Sequence, residues 1–178
     1  MSRIEGIFTM SAPAKLTSPS EPCTGNVITD PEAIEPRRTS SYPARYQIPP
    51  GKRGRRSLGG AFGLTNFGVN LTVLEPGGWS SQRHWHAKQD ELIYVLDGEV
   101  TLVTDDGEMV LTAGMTAGFK AGVANGHHLI NRTDRPATYL EVGGHTATEV
   151  VTYSDIDMVL REGADGTRQF LDKQGRPY

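Results

Sequence analysis

His84 and His86 stand one residue apart in the stretch Gly78-Trp-Ser-Ser-Gln-Arg-His-Trp-His. On a β-strand, side chains at i and i+2 leave the same face with Cα atoms roughly 6.5–7 Å apart, so both imidazoles can reach one ion. Glu91 follows a short turn later and opens the apolar run Leu92 to Leu96. If that run is the next strand, it carries a carboxylate toward the two rings. Two neutral nitrogens and one anionic oxygen suit divalent Mn, Fe, Zn, Ni or Cu. A fourth ligand must come from elsewhere, and Gly126-His127-His128-Leu-Ile-Asn131 supplies candidates. A lone His-x-His pair is often only a pair of solvated polar residues, so the surrounding pattern decides its weight.

That pattern resembles a cupin. The first motif of the family is a glycine, five residues, His-x-His, three or four residues, Glu, six residues and a second glycine. Gly78, His84, His86, Glu91 and Gly98 meet it. The second motif fits at Gly114, Gly122, His127 and Asn131, but Lys120 stands where proline is expected, and four residues rather than two separate Gly122 from His127. The spacing from His127 to Asn131 is kept, so the resemblance assigns the fourth ligand to His127 and not to His128. It implies an all-β fold, a cupin double-stranded β-helix (jelly-roll) barrel, with one divalent transition metal held by His84, His86, Glu91 and His127.

The elements around the motif read as an antiparallel β fold. Val69 to Leu74 is a strand ended by Glu-Pro76-Gly-Gly78, which a strand interior does not tolerate. Leu92 to Leu96, apolar at every position, reads as buried on both sides. Asp97-Gly98 and Asp105-Asp106-Gly107 are hairpin signals, with alternating residues between them. Met109 to Leu111, Leu129 to Asn131 and Ala137 to Val142 complete the set. Gly114, Gly118 and Gly122 read as turn or close-approach glycines, and Lys120 as a solvated side chain more than a cation aimed at the barrel mouth.

Three parts are expected: an extended arm over 1–50, the barrel over 51–150, and a C-terminal extension over 151–178 that packs on the barrel. The arm is rich in Pro, Ser, Thr and charge and buries too little apolar surface to order itself independently. Tyr42, Tyr46 and Ile48 are its means of packing against a barrel, and Met10 is an alternative start. Lys52-Arg53-Gly-Arg55-Arg56 is a basic run that reads first as a solvated loop, with phosphate, sugar-acid or acidic-partner binding as the other reading. Leu58 to Leu64 suggests a turn and a short strand rather than a helix. In the extension, Ser154 with Asp155 and Asp157 suggests the capped start of a short C-terminal helix through Leu160.

The chain of 178 residues carries a net charge of −3, which gives no whole-chain reason to expect nucleic-acid binding. Cys23 is the single cysteine, so no intrachain disulfide forms. No apolar run approaches the ~20 residues of a membrane helix, and a cytoplasmic protein is the expectation. The expected function is a metal-dependent enzyme on a small carbonyl or sugar-derived substrate, isomerase-like. An Fe-dependent dioxygenase and a non-catalytic barrel that senses a small ligand are the alternatives. Mannose-phosphate isomerases use Gln-x-His where this chain has His84-x-His86, which counts against that activity. No general acid or base is assigned. Cupin barrels often pair through sheet edges, so the resemblance also implies a homodimer.

Overall fold

The computed structural model describes residues 29–178; Cys23 and Met10 lie outside them. The unit Pro31–Tyr178 carries all the elements below. Two 3-10 turns, Pro31–Ala33 and Ala44–Tyr46, precede β1 (Arg53–Ser57), α1 (Leu58–Ala61), β2 (Phe67–Leu74), β3 (His84–His86) and β4 (Glu91–Asp97). Then come β5 (Glu99–Thr104), β6 (Gly107–Thr112), β7 (Thr116–Phe119), β8 (His128–Ile130) and β9 (Ala137–Gly144). Strands β10 (Val150–Tyr153), β11 (Val159–Glu162) and β12 (Arg168–Leu171) close the chain.

One wall is a five-stranded antiparallel sheet in the order β1-β2-β9-β4-β7. The strands β12-β11-β10-β3 and β6-β5-β8 form the other wall. A bridge between His84 and His127 joins these two pieces, with reciprocal backbone bonds of 3.1 and 2.8 Å. Alternation sends Leu74, Ile93, Val95, Val100, Leu102, Leu111, Leu129 and Tyr139 into one core. A second cluster of Val151, Tyr153 and Met158 takes Tyr42 and Tyr46 of the N-terminal segment against it. Tyr42 meets Tyr153 and Phe170 edge-on at 5.5 and 5.8 Å, so this segment packs on its own barrel. Among the described residues, no helix is long and apolar enough to cross a membrane.

Five local expectations are corrected. The basic run is a strand, β1, paired with β2 in register Arg53↔Leu74 and Arg55↔Thr72, and Arg53 is only 7% exposed. Leu58–Ala61 is a one-turn helix, because the Ser57 hydroxyl caps it by accepting from the Gly60 N–H at 3.2 Å. Leu92, Tyr94 and Leu96 are exposed while Ile93 and Val95 are buried, so β4 has one inner face and an apolar outer one. Asp97-Gly98 is no hairpin: β4 and β5 belong to different sheets, and Gly98, at φ +75°, is the corner where the chain changes wall. Finally, the C-terminal helix is absent. Pairing of Val151↔His86 and Tyr153↔His84 makes 150–153 a strand, the Tyr153 N–H closes a loop onto the Met158 carbonyl, and Val159–Glu162 returns as β11. Asp155, instead of facing a helix start, accepts from Arg83 Nε at 2.9 Å. Tertiary pairing outweighs the local capping signal. Lys120 is exposed, as expected.

Gly78 shows why its motif position excludes a side chain. A Cβ there would lie 2.4 Å from the Lys52 carbonyl oxygen and 2.9 Å from that of Glu75, both backbone atoms. Gly78→Ala is expected to lower the unfolding free energy by about 1–3 kcal/mol, read by urea denaturation; a loss under about 0.5 kcal/mol would show that the loop gives way freely.

Candidate metal centre

Strand alternation places the site. His84 and His86 point inward from β3 while Trp85 leaves by the opposite face, and β10 supplies Val151 and Tyr153 beside them. The bridge of residue 127 to residue 84 sets a third imidazole in the same wall. Glu91, the first residue of β4, comes from the facing sheet. Nε2 of His84 and Nε2 of His86 lie 3.2 Å apart. Oε2 of Glu91 is 3.6 Å from His86 Nε2 and 3.2 Å from His127 Nε2. Donors about 2.1 Å from a common ion are separated by about 3.0–3.4 Å, so these gaps fit a mononuclear site. The donor atoms of His84, His86 and Glu91 lie within 4.8 Å of one another, and His127 extends that group through its contact with Glu91.

The surroundings hold the imidazoles in the state a metal needs. Nδ1 of His84 is 2.9 Å from the Gln82 carbonyl, to which only a protonated nitrogen can donate, so Nε2 keeps its lone pair. Phe119 stacks on the His127 ring at 3.5 Å and 3° and fixes its plane. Burial pushes His84 down to about 3, against the pull of Glu91, and also lowers His86. Burial alone would raise Glu91, but the hydrogen bond with His127 and the charges of the three imidazoles bring it down to about 2. Near neutral pH the set is therefore two neutral rings and a carboxylate, with His127 bonded to that carboxylate.

Sequence reasoning missed the rest of the cavity, which encloses about 290 Å³. Glu149, 2% exposed, accepts from the backbone N–H groups of Ala87, Lys88 and Val150 at 2.7–3.1 Å and so anchors the turn after His86. Tyr139, Glu141 and Asn70 also line the cavity, with Arg53 and Arg55 of β1. Arg55 pairs with Glu141, which also accepts from Asn70 at 3.2 Å. Burial raises Glu141 despite Arg55. The available signal was period two: Arg53-Gly-Arg55 and Tyr139-Leu-Glu141 both alternate. One row of the five-stranded sheet runs Gly68, Gly143, Glu91, Phe119, so the wall beside Glu91 carries no side chain on β2 or β9. His128 turns its Nδ1 to the Ser81 carbonyl at 3.1 Å and is not part of the constellation.

The fold has known relatives. The family of the Cupin_2 domain matches residues 70–143. A crystal structure of a sugar phosphate isomerase from a cupin superfamily, from Silicibacter pomeroyi DSS-3, is similar at 46% identity with a TM-score of 0.81. The match covers 85% of this chain and 96% of that one. This chain belongs to the cupin superfamily. Other cupin-like neighbours include a putative sugar phosphate isomerase from Acidithiobacillus ferrooxidans, at 28% identity and TM-score 0.64, covering 71% of this chain and 80% of that one. The polyketide cyclase RemF of Streptomyces resistomycificus, at 18% identity and TM-score 0.56 over 67% of this chain and 79% of that one, shares the fold. No curated protein matches the chain.

The lowered His84 and His86 give the cupin a defined acid response in its metal-free form. The unfolded chain takes up protons at these rings below about pH 6.5, whereas folded His84 resists down to about 3. Stability is therefore expected to fall as pH drops across that interval. At pH 5, the His84 ring should still give the neutral, Nδ1-protonated pattern in nitrogen-detected NMR; a charged ring at that pH would contradict its burial.

Proposed function

We propose that this cupin is a metal-dependent enzyme acting on a small carbonyl or sugar-derived substrate, in an isomerase-like reaction. His84, His86, Glu91 and His127 are the proposed ligands of one divalent transition metal. The observation that carries the reading is the convergence of these four side chains from both walls, with donor gaps of 3.2–3.6 Å. The 46% identical relative, named a sugar phosphate isomerase, supports the substrate class. A divalent ion in this donor set acts as a Lewis acid that polarises a carbonyl and acidifies the neighbouring C–H.

The chain's own residues supply the remainder. Tyr153, whose ring centroid is 5.7 Å from that of His84, and Phe119, stacked on His127, pack against the imidazoles. Gly68 and Gly143 leave room beside Glu91 for a substrate. Glu141 stands one inward position along β9 from Gly143, and burial favours its proton-bearing form. It is the carboxylate we assign to hold or move a proton during the shift. Pairing of two copies belongs to the same proposal, supported by the exposed outer face of Leu92, Tyr94 and Leu96 on β4.

Elemental analysis of untagged protein purified without chelator tests the assignment. About one Mn, Fe, Zn, Ni or Cu per chain is expected, with metal affinity falling at least about tenfold in His127→Ala. No stoichiometric metal after reconstitution would remove the metalloenzyme reading.

A further inference from the structure

The described residues contain six buried side-chain nitrogen or oxygen atoms without a hydrogen-bond partner. Two are Nδ1 of His86 and His127, at the candidate metal centre. The other four are Arg53 Nε, Arg55 Nε, Thr72 Oγ1 and Tyr139 Oη, and they fall on three adjacent strands. Arg55, Thr72 and Tyr139 occupy one cross-strand row of β1, β2 and β9, and Arg53 faces inward from the next row. Natural domains leave only a few such atoms unpaired per hundred residues, and four gathered in one patch of wall call for an occupant.

The patch has a definite chemical preference. Arg53 anchors itself through the carbonyls of Ser80 and Thr39, and Arg55 through Glu141, so each guanidinium is held in place with its Nε still free. A guanidinium can only donate, and Tyr139, kept protonated by burial, donates as well. Arg55 is offset by its pair with Glu141, whereas Arg53 meets only the carbonyls of Ser80 and Thr39. A buried guanidinium met only by carbonyls, with unpaired donors beside it, favours an anion in this part of the wall.

Resting on the metal-site reading above, we propose that the patch of Arg53, Arg55 and Tyr139 is an oxyanion subsite. It takes the carboxylate or phosphate of a substrate whose reacting carbon lies toward His84, His86 and Glu91. The alternating basic run is thus part of the binding wall, and its Gly54 leaves the outer face clear for Arg38 and Pro36, which come within 3.5 Å of where its Cβ would stand.

Isothermal titration of the full chain with malonate, inorganic phosphate and neutral glycerol tests this subsite. One of the two anions should bind while glycerol does not. With metal content unchanged, Arg53→Gln and Arg55→Gln should weaken that anion by about tenfold or more, and Tyr139→Phe severalfold. His127→Ala, deprived of the ion, should retain arginine-dependent binding. Preference for malonate marks a carboxylate substrate and preference for phosphate a phosphorylated one; either supports the subsite. Tyr139→Phe removes a single atom and decides the matter if an arginine variant does not fold. Anion affinity untouched by Tyr139→Phe and both arginine variants but abolished by His127→Ala would overturn the subsite and leave the metal centre standing. Absence of anion binding to the wild-type chain would overturn it too. Failure of the metal reading appears separately, as missing metal in a protein that still binds the anion.

Discussion

The structure depends on one largely buried carboxylate facing three imidazoles across the gap between two sheets. Glu91 starts β4 in one wall, while His84, His86 and His127 belong to the other. Taking a carboxylate out of water is costly unless donors or cations meet it. Here the imidazoles meet it at 3.2 and 3.6 Å, so the two walls of the cupin are locked at a defined separation by the same atoms that form the centre. The bridge between His84 and His127, the Phe119 stack and the Glu149 anchor all hold one or another of these side chains in place.

A second polar layer lies along the five-stranded sheet. Moving down the barrel from Glu91, the inward rows pass through Glu141 with Asn70, then Arg55 with Tyr139, and reach Arg53 beside Leu74. Most cores this size fill such positions with aliphatic side chains. This barrel instead keeps charge inside and satisfies part of it with fixed carbonyls and one ion pair, leaving donors over. Polar residues in that arrangement weaken the core as packing material and line the cavity with charge.

The convergence of His84, His86 and Glu91 was legible because the pattern is local: His-x-His reports on one strand, and the spacing to Glu91 and Gly98 constrains the next. The strands at 69–74, 129–131 and 137–142 followed from alternation and turn residues for the same reason. What escaped was decided by partners distant in the chain. Arg53 and Arg55 look like surface cations until β2 pairs with them and turns them inward. Residues 154–160 carry a helix-start signal that loses to the pairing of 150–153 with the histidine strand. Leu92, Tyr94 and Leu96 resemble a core run, yet period two puts them outside while Ile93 and Val95 go in. Glu149 gave no local hint, since the turn it anchors lies far away in the chain, at the backbone of residues 87 and 88.

The bare stretch of wall formed by Gly68 and Gly143 bears on how the cavity's selectivity can change over time. A Cβ at Gly143 would meet nothing nearer than the Asp90 carbonyl at 3.8 Å, and one at Gly68 only the tip of His145 at 3.2 Å. Gly143 therefore accepts a methyl with little rearrangement, whereas at Gly68 the His145 ring must give by a few tenths of an ångström. The upper size limit for a molecule beside Glu91 is set at Gly143 by the missing side chain and at Gly68 by the tip of His145. Single-residue exchanges at 68 or 143 can narrow that limit without touching the fold or the ligands, which makes this row the cheapest route by which descendants of the protein can diverge in what they admit.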